Sequence, residues 1–157
     1  MNEFLLKARA CIGALTPLNT DCGTLCGGAC CETDADGKGG VYLFPGESAD
    51  EFVWGHVDAD DFGQMLICDG PCDREHRPFA CRIFPLTPVR NADGKWTVRL
   101  DVRAPRMCPL YRSGLRGMNP EFVRACAKAV RAIAQTPEGS AFLERWADLE
   151  RQYRLPF

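Results

Sequence analysis

The sequence of 157 residues predicts a small α+β domain in which N- and C-terminal helices pack over a short antiparallel hairpin around an irregular, cysteine-bound middle. Three observations predict it. Apolar residues recur at helical spacing at both ends, and period-two alternation is clearest over residues 96–102. Between them, most of the ten cysteines sit among Gly and Pro. The length fits one domain by the usual prior of roughly 100–200 residues. With 46% hydrophobic residues the chain can bury a core without relying on a metal alone.

In order, residues 3–15 read as a helix with Phe4, Leu5, Ala8, Cys11, Ile12 and Leu15 on one side, ended by Thr16-Pro17. Residues 22–31 read as a Gly-rich loop with one helical turn. Val41-Tyr42-Leu43-Phe44, Phe52-Val53-Trp54 and Gln64-Met65-Leu66-Ile67 are short apolar runs that read as strands. Pro88-Val89-Arg90 leads through Asn91-Ala92-Asp93-Gly94 into Trp96, Val98, Leu100 and Val102, a hairpin. Asn119-Pro120-Glu121 supplies an N-cap, a proline at the first helical position and an acid in the first turn. Phe122, Cys126, Ala129, Val130 and Ile133 form the buried stripe of that helix. Thr136-Pro137-Glu138 repeats the start signal, with Phe142, Trp146, Leu149 and Tyr153 on the core face. The division expected is a cysteine and metal-binding core over about 20–110 and a helical pair over 119–155.

Charge is uneven. Residues 32–76 carry 12 acids against Lys38 and Arg74, whereas residues 99–131 carry eight bases against Asp101 and Glu121. Either the two regions face each other, or the 99–131 region is a basic surface for a protein partner or an anionic substrate. A net charge of −2 argues against nucleic acid. No stretch approaches the roughly 18 apolar residues of a membrane span. Glu3, Lys7 and Arg9 interrupt any apolar leader, so a cytoplasmic protein with reduced thiols is expected.

Reduced thiols at short separations point to a metal. Cys11 and Cys126 lie on helical core stripes without a cysteine neighbour and read as small buried hydrophobes. The candidate ligands are Cys22, Cys26, Cys30 and Cys31 in the first cluster, Cys68 and Cys72 in a second, and Cys81 and Cys108. Eight thiolates suit two four-coordinate sites, or one site with spares. With only His56 and His76 available, the set is mainly sulfur, which selects zinc, Cu(I) or an iron–sulfur cluster. A four-thiolate centre carries a net charge near −2, which Arg77 and Arg82 beside Cys81 are placed to offset; the alternative is that they pair with the acids of 32–76.

The cluster Cys22 to Cys31, then Cys68 and Cys72, then Arg77-Pro78-Phe79-Ala80-Cys81-Arg82-Ile83-Phe84-Pro85 resembles the YkgJ-type CxxCxxCC family of zinc- or iron-chelating domains. Residues 77–85 match its R-P-x-x-C-R-x-F-P half at every fixed position. The first cluster is spaced three and three rather than two and two, and Glu75-His76 replaces an aromatic-containing dipeptide. The likeness covers residues 22–85 and extends towards Cys108. It implies a bound metal; a related group, the flagellin lysine N-methylases, combines such cysteines with an iron–sulfur cluster and S-adenosylmethionine. The expected function is a metal-binding protein holding a [4Fe–4S] cluster or zinc. It is either an iron–sulfur, methyltransferase-like enzyme component or a zinc-stabilised interaction module.

Other signals are weaker. Asp34-Ala35-Asp36-Gly37 fails the calcium-loop pattern and reads as a turn. His56-Val57-Asp58-Ala59-Asp60-Asp61 reads as an exposed acidic strand end. Gly27-Gly28 and Gly39-Gly40 open no strand–loop–helix unit, so no nucleotide-binding fingerprint is present.

Overall fold

Asn2 starts the first element: its side chain accepts the Leu5 N–H at 3.2 Å and caps α1, Glu3–Ile12. The computed structural model describes residues 1–32, 40–69 and 72–154, so the Asp34–Gly37 turn lies outside the described residues. The helix stops at Ile12 rather than residue 15. Gly13 takes φ 53° and returns its N–H to the Arg9 carbonyl at 3.0 Å, a stop that the downstream Thr-Pro signal does not reveal. Leu5, Ala8 and Ile12 are the buried face.

A three-stranded antiparallel sheet follows in the order β1-β3-β2, from β1 Val41–Tyr42, β2 Gly55–Ala59 and β3 Gln64–Cys68. Here one expectation fails. Phe52-Val53-Trp54 is a turn; Phe52 is buried with Leu43 and Leu66 in a small second core, while Val53 is 89% exposed. A single anchored aromatic needs no strand around it. The strand comes next, in the polar run Gly55–Ala59, specified by pairing with β3 rather than by its own apolar content. Asp60 closes the β2–β3 hairpin by accepting the Phe62 and Gly63 N–H groups.

The second sheet is the expected hairpin, β4 Leu86–Arg90 and β5 Trp96–Leu100, paired from Leu86↔Leu100 to Arg90↔Trp96. Asn91 Oδ1 accepts the Asp93 and Lys95 N–H groups at the turn. Two short helices, α2 Gly23–Cys26 and α3 Phe79–Ile83, precede it and α4 Ala104–Met107 follows. The chain ends in α5 Pro120–Ile133 and α6 Pro137–Arg154, with the Asn119 side chain capping α5. Helix α5 packs along α1 and over both strands of the hairpin, and α6 contacts β4. Phe44, two residues past β1, packs at a tilt on Phe79, Phe142 and Trp146 at ring separations of 4.8, 4.7 and 5.2 Å, joining this segment to α3 and α6 in one core. No helix among the described residues is long and apolar enough to cross a membrane.

The basic region divides. Arg99 pairs with Glu150 and Arg103 with Asp101, both nearly buried carboxylates outside the acidic stretch. Arg106, Arg112, Arg116, Arg124, Lys128 and Arg131 make no ion pair among the described residues.

Candidate metal centre

The first cysteine segment is all turn. Cys22 precedes the single turn α2, and Gly27 and Gly28 then take φ 64° and 75°, reversing the chain into a 3-10 turn over Ala29–Cys31. Two consecutive left-handed residues favour glycine, because a Cβ is strained there. No residue from 21 to 32 is buried, and Leu25 is 70% exposed. This segment has no apolar anchor of its own.

Cys68 ends β3, Cys72 lies just beyond, and Cys81 sits in α3. That five-residue helix is held from a distance. The buried Glu47 carboxylate accepts the N–H of Phe79 at 2.7 Å and that of Phe44 at 2.8 Å, with Arg9 3.5 Å away. Burial raises the Glu47 carboxyl to about 7 against the pull of those two N–H groups and Arg9. Cys108 follows α4, and its carbonyl accepts the Tyr111 N–H at 3.1 Å.

These positions converge on two cavities with a shared wall. One, of about 80 Å³, is lined by Cys22, Cys26, Cys30, Cys31, Cys81 and Cys108, beside the apolar Phe84 and Met107. The other is an open groove of about 670 Å³ lined by Cys31, Cys68 and Cys72. Gly23, Gly28, Cys31 and Arg77 border both. All eight candidate ligands therefore stand on these walls. Cys11, packed against the main core, and Cys126, fully buried within it, stand on neither. His56 and His76 line neither; His56 Nδ1 faces Asp69 at 3.0 Å. All ten cysteines are free thiols.

Electrostatics follow from the crowding. Burial pushes the thiols of Cys22, Cys68, Cys72 and Cys108 up, and Cys81 further, with Cys68, Cys31 and Cys72 adding to its rise. A hydrogen bond between the neighbours Cys30 and Cys31 pushes Cys30 far up and draws Cys31 down to about 6, with Arg77 helping to lower Cys31. Arg77 also hydrogen-bonds Cys72 and opposes its rise. Arg82 turns elsewhere: its Nη atoms donate to the Gly13 carbonyl at 2.7 Å and the Glu75 carbonyl at 3.2 Å, tying α1 to the segment before α3. Arg74 and Glu47 were not apparent as site residues from sequence. Arg74 enters the cavity wall while donating to the Leu15 carbonyl at 2.6 Å, and no local motif marks either residue.

As placed, no three His, Cys, Asp or Glu side chains among the described residues stand close enough to hold one metal ion. The donor chemistry nevertheless suits a soft metal: sulfur predominates, with Arg74 and Arg77 on the walls, while Asp21, Glu32 and Asp69 also line the open groove. Two buried donors on the cavity wall, Arg74 Nε and Arg77 Nε, have no hydrogen-bond partner among the described residues. Buried N–H groups of this kind require an acceptor, and metal-bound thiolates are acceptors. The chain matches no family model, no curated protein and no solved structure.

Proposed function

We propose that this protein binds a thiolate-ligated metal centre, an iron–sulfur cluster or zinc, between its cysteine turn, α3 and α4. The observation that supports this best is the sorting of the cysteines: the six clustered in sequence, together with Cys81 and Cys108, line two contiguous cavities, and the two on helical stripes are packed in or against the apolar core. Cys22, Cys26, Cys30, Cys31, Cys68, Cys72, Cys81 and Cys108 would hold the metal, and Arg77 would offset its negative charge through Cys72. Such a centre supplies either electron transfer or a structural cross-link. Cytoplasmic reduced thiols fit this use, and the YkgJ-type resemblance of residues 22–85 points the same way.

Two kinds of centre have separate support. Eight thiols with no histidine on the walls favour [4Fe–4S] and an enzyme component of methyltransferase-like type. The lack of buried residues in 21–32 favours zinc as a cross-link in an interaction module. Anaerobic purification of the full chain, with iron, sulfide and zinc analysis and an absorption spectrum, decides. A brown protein absorbing near 400 nm, with iron and sulfide, supports the first; a colourless protein with stoichiometric zinc supports the second. Reduced, folded protein free of all three contradicts both.

A further inference from the structure

We propose that the exposed side of α5, with the 3-10 turns that lead into it, is a docking surface for an acidic partner protein, seated beside the rim of the enclosed cysteine cavity. The surface stands on charge and exposure, and it holds whether or not the cavity carries a metal.

Helical spacing places the cations. The buried stripe of α5 takes Phe122, Cys126, Ala129, Val130 and Ile133, which leaves Arg124, Lys128 and Arg131 exposed together on the opposite side. Glu121 stands in the first turn of the same helix, where the helix start favours an acid. Arg112 and Arg116 are exposed on the 3-10 turns Pro109–Ser113 and Leu115–Gly117, the second of which packs against α5. The chain carries 21 acids, yet none pairs with these five cations among the described residues. Arg99 and Arg103, from the same basic stretch, turn inward to nearly buried carboxylates instead. The fold thus uses two bases of the stretch and leaves the others facing solvent.

Two further observations select the partner. Tyr111 and Leu115 are 38% and 40% exposed, each next in sequence to a turn arginine, and the 70% exposed Leu25 lines the enclosed cavity with Pro109 and Leu110. Arginine beside exposed aromatic and aliphatic side chains suits a contact with protein. Charge supplies the second. Residues 99–131 hold eight bases against two acids, so the rest of the chain holds 11 bases against 19 acids. A long polyanion or an anionic membrane would also meet that acidic remainder and be repelled, whereas a compact acidic patch meets the basic surface alone. A second copy offers acids too, but acidic face on basic face is a head-to-tail contact that no two-fold axis closes. The partner surface expected is rich in Asp and Glu, with leucine or phenylalanine among them to meet Tyr111 and Leu115.

A fluorescein-labelled peptide of repeated Glu-Glu-Leu, added to the purified full chain and read by anisotropy, tests the surface. It should bind, weaken as salt is raised, and bind more tightly than polyglutamate of equal charge. Arg124→Gln with Lys128→Gln should weaken it about fivefold, since exposed ion pairs are each worth little. Lys95→Gln with Arg151→Gln removes the same charge from exposed residues elsewhere and should change nothing. Leu115→Ser should narrow the advantage over polyglutamate. Far-ultraviolet spectra and metal content should match the native chain in every variant, which separates this surface from the metal reading. Equal weakening in both double variants, or no peptide binding, overturns the surface. Tighter binding of a single-stranded oligonucleotide or of phosphatidylserine vesicles through Arg124 and Lys128 overturns the assignment to a protein. Self-association of the native chain that is lost in Arg124→Gln with Lys128→Gln overturns it in favour of a second copy.

Discussion

The helical body and the cysteine face are built by different means. Helices α1 and α5 and the β4–β5 hairpin bury complete apolar stripes: Leu5, Ile12, Leu86, Phe122, Val130 and Ile133 are all at or below 1% exposure. Residues 21–32 include half-buried positions but no fully buried residue, and Pro109–Ser113 and Leu115–Gly117 are 3-10 turns without a buried residue. Hydrophobic burial suffices for the first region. In the second, turns reversed at Gly27, Gly28 and Gly114 bury little, and the proposed metal centre would supply order by linking thiols from distant segments.

The largest expected effect separates the two regions. Removing the metal from the full chain should abolish amide-exchange protection over 22–32 and 104–117, while α5 and the β4–β5 hairpin keep theirs. Uniform loss of protection, α5 and α6 included, would show one cooperative unit and erase the distinction. The hairpin belongs with the body here, although its residues fall inside the 20–110 core expected from sequence, because α5 packs on both its strands.

The converse perturbation strikes the body. Phe122→Ala should cost about 3–5 kcal/mol in chemical denaturation, because it empties a fully buried site. Metal bound per folded chain should not change. A metal loss in proportion to the stability loss would tie the regions more tightly than this account allows.

Glu47 bridges them. Its folded-state carboxyl is raised from 4.5 to about 7, so its contribution is complete below the lower value and is lost as pH rises through the upper one. Denaturation of the metal-free chain should lose up to about 3 kcal/mol across that range, and Glu47→Gln should flatten the dependence. An equal slope in the variant would remove Glu47 as its cause.

The smallest effect sharpens the sorting of the cysteines. Cys126→Ala should cost about 1–3 kcal/mol through a small core cavity, with metal content unchanged. Its thiol is raised to about 12 by burial, in keeping with an inert packed group. Metal loss in this variant would break the assignment of Cys126 to the core.

What sequence revealed follows from the range of each cause. Asn119-Pro120, Asn91 to Gly94 and the stripe of α5 act within a turn or two of themselves, and they stand where local rules put them. Helix α3 could not be read, because its first N–H is held by Glu47, 32 residues earlier in the chain. Residues 104–117 show no periodicity because they form one helical turn and two 3-10 turns interrupted by Pro and Gly. At the site, close spacing points out Cys22, Cys26, Cys30, Cys31, Cys68 and Cys72, and Cys81 and Cys108 remain once the helical stripes claim Cys11 and Cys126. Spacing does not show that Cys108 comes round to Cys22 and Cys26, nor that Arg74 enters the wall, since both depend on how α4 and the 3-10 turns fold back.

On the proposed reading, eight thiols hold metal and two do not. Counting reactive thiols on the natively folded full chain, while a chelator strips the metal and its release is recorded, tests that claim most directly. The eight wall thiols should become reactive in step with metal release, and Cys126 should react only on unfolding. A reduced, folded chain whose eight wall thiols react at once, with no metal to release, would contradict it.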